Sequence, residues 1–114
     1  MTTVNHVFLM HLTTTRAWLD LTPQDRHAFT DKTIRPILVA NPAVTMRYFE
    51  SEAFSADVTD TAMWETNDIL AYQAVVEELR ETPFWGHYFE VVQILACIED
   101  AHALHYHEDP ISKV

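Results

Sequence analysis

Histidines carry the widest range of chemistry in this sequence, because an imidazole near neutral pH can act as a base, a proton donor or a metal ligand. His6 and His11 fall in an apolar segment, where a buried ring needs a hydrogen-bond partner. His87 stands just before a second apolar segment. We therefore take these three as candidate ligand-pocket residues. The complete set of seven is His6, His11, His27, His87, His102, His105 and His107.

Three further polar residues occur inside segments that alternate like strands. Alternation places Arg47 with Thr45 and Phe49, and Glu65 with Thr61 and Met63, on the sheet face away from the helices. The two side chains could meet there, and a structural ion pair between subunits is favoured over a pair that orients a substrate. Gln93 is the uncharged polar residue within the last apolar run. It could reach the same region or simply hydrogen-bond to backbone.

Aromatic side chains could line a pocket for a flat organic ligand. Packing in the core or at an interface explains most of them equally well. The aromatic residues in question are Tyr48, Trp64, Tyr72, Phe84 and Trp85. Of these, we take Trp64 as a candidate pocket residue.

No cofactor is expected. The single glycine, Gly86, excludes glycine-rich phosphate-binding loops, and the single cysteine, Cys97, excludes zinc sites and iron–sulfur centres that need several cysteines. A metal site in the tail, built from His102, His105 and His107, is disfavoured against a solvated polar tail. Haem bound through His11 or His87 is an alternative that ranks below the cofactor-free interpretation. His27 and Asp31 are interpreted as a surface pair one helical turn apart.

Charge and length restrict the class of protein. The chain has 114 residues and a formal net charge of −10, which would repel nucleic acid and anionic membranes. Neither a signal peptide nor a membrane span is recognisable, so a cytoplasmic protein is expected. The length favours one domain, residues 1–114, with a polar tail from about residue 100.

Hydrophobic periodicity predicts the order β-α-β-β-α-β. Thr22 and Pro23 mark the start of the first helix, which Pro36 should kink or end before Asn41, and the second helix begins at Asn67 or Asp68. The predicted strands are residues 4–12, 43–49, 61–66 and 88–98, and the second helix ends before Pro83. This is the ferredoxin-like α+β arrangement, a four-stranded antiparallel sheet with two helices on one face.

The first and last strands are apolar on both faces, so the face without helices needs a cover. A second copy of the chain is the economical one, since two sheets packed face to face form a dimeric α+β barrel. In the last strand, simple alternation predicts two sets of residues. One is Val92, Ile94, Ala96 and Ile98, and the other is Phe89, Val91, Leu95 and Cys97.

Four stretches resemble the darcynin family of small bacterial proteins, in addition to the first strand. They are Trp18-Leu19-Asp20-Leu21-Thr22-Pro23 with Arg26 and Phe29, Trp64-Glu65-Thr66-Asn67-Asp68, Leu79-Arg80-Glu81-Thr82-Pro83-Phe84-Trp85, and Tyr88-Phe89-Glu90-Val91. The third is the most specific, and the resemblance covers nearly the whole chain. It implies no activity and no catalytic residues. The junction at Trp64 and Glu65 more distantly resembles antibiotic-biosynthesis-type monooxygenases, which concerns the fold and not the function.

Two classes of function remain open. The favoured one is a non-catalytic homodimer that binds a small organic ligand or serves as an interaction module for an unassigned partner. The alternative is a cofactor-independent monooxygenase or isomerase that uses a His or Glu as general base on a small aromatic or polyketide-like substrate. A nucleophile, base and orienting residue cannot be placed from spacing alone.

Overall fold

The computed structural model describes residues 3–113 and contains one four-stranded antiparallel sheet in the order β2-β3-β1-β4. With its helices this is the predicted ferredoxin-like α+β fold. The strands are β1 (His6–Thr14), β2 (Val44–Glu50), β3 (Asp60–Thr66) and β4 (Phe89–Ile98). The helices are α1 (Arg16–Leu19), α2 (Pro23–Phe29), a π-helical segment (Thr30–Ile34), α3 (Arg35–Ala40), α4 (Ile69–Arg80) and α5 (Ala101–Tyr106), with a 3₁₀ turn at Ile111–Lys113.

The two faces of the sheet have different surroundings. On β1, Phe8, Met10 and Leu12 are buried under the helices, while the residues between them are only partly covered. β3 follows the same pattern, with Ala62 and Trp64 buried beside β1. The helices therefore cover one face, called here the covered face, and no layer from residues 3–113 packs on the opposite face, called here the open face.

A β-bulge in β4 overturns the predicted division of its side chains. Gln93 pairs with His11, but Val91 pairs with the next residue, Leu12, so Val92 is an extra residue without a partner in the register. One extra residue reverses the alternation that follows it. Phe89 and Val91 accordingly belong to the core and not to the face of Leu95 and Cys97, where simple alternation had placed them.

The first long helix continues past Pro36, which was predicted to kink or end it, and is irregular just before that residue. Thr22 caps α2 as expected, since its Oγ1 accepts a hydrogen bond from the Asp25 backbone N–H at 3.1 Å. The irregularity lies before Pro36, in the π-helical segment, whose wider turns tolerate the missing proline N–H. The helical path then ends at Ala40, just before Asn41.

α4 forms as its apolar stripe predicts. Asp68 caps it by accepting from the backbone N–H groups of Leu70 and Ala71 at 3.1 and 3.4 Å, which confirms one of the two predicted caps. Val75 and Leu79 face the sheet and are buried. The helix ends at Arg80, before Pro83.

Two short helices were missed by the sequence prediction. α1 is a single turn, too short to show periodicity, and Thr15 caps it by accepting from the Trp18 backbone N–H at 3.3 Å. α5 lies in the segment predicted to be a polar tail, and Ala103 is buried against its own chain. This part of the tail is therefore helical and packs on its own chain through Ala103. Within residues 3–113, no helix is both long and apolar enough to cross a membrane.

Candidate functional site

An apolar cavity of about 310 Å³ lies between the covered face of the sheet and the helices. A pocket of this size is in the range that holds small organic ligands. The π-helical segment contributes to it through its first and last residues, and π-helical turns often occur at functional sites. The lining consists of Trp18, Phe29, Thr30, Ile34, Met46, Tyr48, Ala62, Trp64, Leu79, Phe84 and Phe89.

Aromatic rings form one wall of this cavity. Trp18, carried by α1, packs edge-on against Phe29 with ring centroids 5.9 Å apart and lies 4.8 Å from Phe89. Phe84 and Phe89 are 4.9 Å apart. The wall thus depends on the two features that periodicity could not reveal, namely the one-turn helix and the bulge in β4.

Trp64 is the sequence-predicted candidate that lines the cavity. It lies on β3 between Phe8 and Met46 in the register and is 2 % exposed. Its indole Nε1 is buried, and no hydrogen-bond acceptor within residues 3–113 serves it. Buried donors in proteins are nearly always paired, so this N–H requires an explanation.

A polar pair stands at one edge of the cavity. Tyr48 lines the cavity and shares its sheet face with Asp60, a carboxyl that is only 5 % exposed. Thr59 Oγ1 donates to Asp60 Oδ2 at 2.8 Å. Tyr48 is 43 % exposed, and partial burial of its phenol together with the nearby Asp60 carboxyl raises the pKa of the phenol above its ordinary value of 10. Burial likewise raises the pKa of Asp60 above that of an ordinary carboxyl.

The raised pKa of Asp60 predicts a pH effect on stability. The folded state binds the Asp60 proton more tightly than the unfolded state does. The resulting contribution to the free energy of unfolding is fully present below the ordinary carboxyl pKa of 3.8 and is lost as the pH rises through the raised pKa of the folded state. We expect the free energy of unfolding of the wild type to fall relative to that of Asp60→Asn across this window. Urea unfolding at a series of pH values measures this difference.

Asp57→Asn is the matched control, since Asp57 is exposed in the connection that precedes β3. It should leave the pH profile of the wild type unchanged. A profile of Asp60→Asn that runs parallel to the wild type would contradict the assignment.

Four other predicted candidates lie on the open face. His11 Nδ1 is 2.9 Å from Thr61 Oγ1, and Gln93 lies opposite His11 on β4. The guanidinium carbon of Arg47 lies 5.2 Å from the centre of the Phe49 ring, and Glu65 accepts from Asn5 Nδ2 at 3.1 Å. Arg47 and Glu65 thus share the face that alternation predicts, but no ion pair joins them within residues 3–113.

The remaining two candidates are separate from both groups. His6 lines a second, more open hollow of about 450 Å³ beside Phe8, Ile98 and Ala101. His87 is exposed in the connection before β4, where its backbone carbonyl accepts from Thr15 Oγ1 at 2.6 Å. The seven candidates therefore do not converge on one site.

The first-helix histidine, His27, differs from its interpretation. Asp31 Oδ1 accepts from Arg35 Nε at 2.7 Å, so the predicted surface pair with His27 is wrong, because the permanently charged guanidinium takes the carboxylate. Within the described part of the chain, no three His, Cys, Asp or Glu side chains are grouped closely enough to hold a metal ion.

Sequence reasoning missed Asp60 as a site residue. It was assigned to the polar connection before β3, but the structure makes it the first residue of that strand, facing the helices. The signal lay in its neighbours, since Thr59 and Thr61 are both frequent strand residues and a strand beginning one residue earlier buries Asp60 by alternation.

The fold and the cavity together define a ferredoxin-like α+β protein with an apolar chamber between its helices and sheet. A family model described as "Darcynin, domain of unknown function" matches residues 2–114. The chain belongs to the darcynin family. It is 42 % identical over 106 residues to a darcynin homolog from Streptomyces avermitilis, covering 92 % of this chain and 88 % of that protein. A darcynin homolog from Granulibacter bethesdensis is 42 % identical over 101 residues, covering 88 % and 81 %.

Solved structures support the fold at low sequence identity. A variant of chlorite dismutase from Candidatus Nitrospira defluvii superposes with a TM-score of 0.72 at 16 % identity, covering 86 % of this chain and 41 % of that one. A heme-binding protein from Thermus thermophilus gives 0.74 at 13 % identity, covering 94 % and 45 %. The chain thus spans less than half the length of these structures.

The cavity does not fit haem held by a histidine or a cysteine. Its lining contains neither residue type, and both histidines considered for this role lie elsewhere, His11 on the open face and His87 in a connection. Tyr48 could ligate iron only as a phenolate, and the raised pKa of its phenol opposes that form.

Proposed function

We propose that the cavity binds a small, largely apolar organic molecule. The observation that carries this proposal is a chamber of about 310 Å³ lined almost wholly by aromatic and aliphatic side chains. Protein interiors are otherwise close-packed, and atoms around a void lose the contacts that a ligand would restore. The aromatic wall suits a flat ligand, because rings pack well against rings.

Binding of N-phenyl-1-naphthylamine, a neutral fluorophore, tests this proposal. The wild type is expected to bind it saturably, with one site per chain. Ala62→Leu should weaken binding at least tenfold, since Ala62 is buried on the sheet floor of the cavity and a larger side chain there occupies ligand space.

Ala96→Leu makes the same substitution at an exposed position of β4 that lines the second hollow and not this cavity, and it should bind the fluorophore like the wild type if the cavity is the binding site. Ala62→Val, with circular dichroism on each variant, covers the case in which the larger residue prevents folding. Unsaturable binding, or equal binding by all folded variants, would overturn the proposal.

We further propose that a second copy of the chain covers the open face. Leu95 is exposed there beside the partly exposed Leu9 and Met63 in the register, and Phe49 is exposed further along β2. A contiguous apolar patch of this kind is what soluble proteins normally hide. An isologous two-fold pairing would also let Arg47 of one copy approach Glu65 of the other.

A cofactor-independent enzyme is the alternative function, and the Tyr48–Asp60 pair is the observation that favours it. A protonated phenol beside a buried carboxyl can pass a proton to or from a bound molecule. The binding proposal does not require this step. Turnover of a bound aromatic compound that is abolished in Tyr48→Phe with binding retained would favour the enzyme.

A further inference from the structure

The apolar cavity is buried at one end and open at the other. Its deep end is formed by residues such as Trp64, Leu79 and Phe84, which are at most 6 % exposed. Thr30 and Tyr48 also line it, but both are exposed at the surface. Thr30 begins the π-helical segment, and Tyr48 lies on β2, an edge strand of the sheet. The opening, called here the mouth, therefore lies between these two elements.

Carboxyl groups surround the mouth on the side of the sheet. Glu50 lies two residues beyond Tyr48 on β2, hence on the same sheet face, and pairs in the register with Asp60. Partial burial raises the pKa of the phenol at the mouth, and the charges of Asp60, Glu50 and Glu52 raise it further, so these carboxyl groups lie near its hydroxyl. Within residues 3–113, no lysine, arginine or histidine lines the cavity. An entering molecule therefore meets a negative potential.

Basic residues of the neighbouring helices are directed elsewhere. Arg26 donates from Nε and Nη2 to the backbone carbonyl of Leu21 at 3.3 Å, toward the start of α2 and away from the mouth. Arg35 Nε donates to Asp31 Oδ1 at 2.7 Å, so its charge is already paired. The negative potential at the mouth is thus not cancelled by either guanidinium.

Resting on the proposed function, we propose that the mouth selects ligands by charge, so that the cavity takes uncharged aromatic molecules and excludes those that carry a carboxylate, sulfonate or phosphate. An anionic group in the deep end would be buried without a counter-ion, which strongly opposes binding. An anionic group left at the mouth would face carboxyl groups of like charge. An uncharged molecule meets neither obstacle.

Binding of 2-naphthamide and 2-naphthoate tests this selection, because the two have nearly the same shape and only naphthoate is charged at neutral pH. Their dissociation constants are measured by displacement of N-phenyl-1-naphthylamine. The wild type is expected to bind the amide at least about tenfold more tightly than the carboxylate. Raising the salt concentration should narrow this ratio, since salt screens the repulsion at the exposed mouth.

Thr30→Lys places a cation at the mouth and should lower the amide-to-carboxylate affinity ratio about fivefold, as expected of a partly exposed ion pair. Val39→Lys is the matched control, because it adds the same charge at a 73 % exposed position of α3 that does not line the cavity. It should keep the wild-type ratio. Glu50→Gln removes one carboxylate beside the mouth and should lower the ratio as well, which covers the case in which Thr30→Lys does not fold.

The outcomes separate this inference from the function on which it rests. Equal binding of the amide and the carboxylate by the wild type, or one ratio shared by the wild type, Thr30→Lys and Glu50→Gln, would overturn the selection by charge and leave ligand binding in place. Failure of the wild type to bind N-phenyl-1-naphthylamine and 2-naphthamide would overturn the ligand-binding proposal as well.

Discussion

Leu95→Lys is expected to convert the proposed dimer into a folded monomer. Leu95 lies on the open face and is 47 % exposed in the single chain, so a lysine there costs the isolated fold little. In a two-fold dimer the same change buries an unpaired charge from each copy. The dimer dissociation constant should rise by at least about 100-fold.

Light scattering across a concentration series measures this effect, and circular dichroism confirms that the variant is folded. Leu70→Lys is the control, because Leu70 is 75 % exposed on α4, on the other side of the sheet. It should assemble like the wild type. A wild-type protein that is monomeric at micromolar concentration would remove the dimer proposal.

Met10→Ala is expected to give the largest loss of stability. Met10 is 0 % exposed and lies between Ala62 and Ile94 at the centre of the covered face. Truncation there leaves a void that the surrounding strands and helices cannot close, at a cost of about 2–5 kcal/mol. Urea unfolding should show a lower midpoint with an unchanged slope.

Met10→Leu is the control for the loss of side-chain volume at this position. Met10→Leu preserves most of the volume and should cost less than about 1.5 kcal/mol. If Met10→Ala were as mild as Met10→Leu, the centre of the covered face could not be the close-packed core that the structure shows.

Much of the fold could be predicted because its signals are local and regular. The alternation of Phe8, Met10 and Leu12 against Leu9 and His11 identifies both faces of β1. Capping by Thr22 and Asp68 fixes the start of two helices. The predicted β1 lay at residues 4–12, whereas the structure begins it at His6 and extends it to Thr14, because pairing with β4 continues that far.

The candidate site could be predicted only in part, since its geometry comes from irregularities. Trp64 was identified because it sits in a regular strand. Phe89 was grouped with Leu95 and Cys97, which lie on the open face, because a bulge leaves no trace in the periodicity of the sequence. Trp18 was not proposed as a pocket residue because a one-turn helix has no periodic repeat. The unpaired Nε1 of Trp64 depends on which acceptors surround it in space, and no spacing along the chain reports that.

The bulge at Val92 makes this point of β4 the place where the chain can change in length during evolution. Loss of the extra residue would leave Val91 opposite Leu12 and Gln93 opposite His11, now as neighbours in a regular strand. Phe89 would still reach the cavity, and Leu95 would still reach the open face. A deletion elsewhere in β4 has the opposite effect, because it moves every following side chain to the other face unless a new bulge forms. Relatives that keep both surfaces should therefore differ in length at Val92 and not at other positions of the strand.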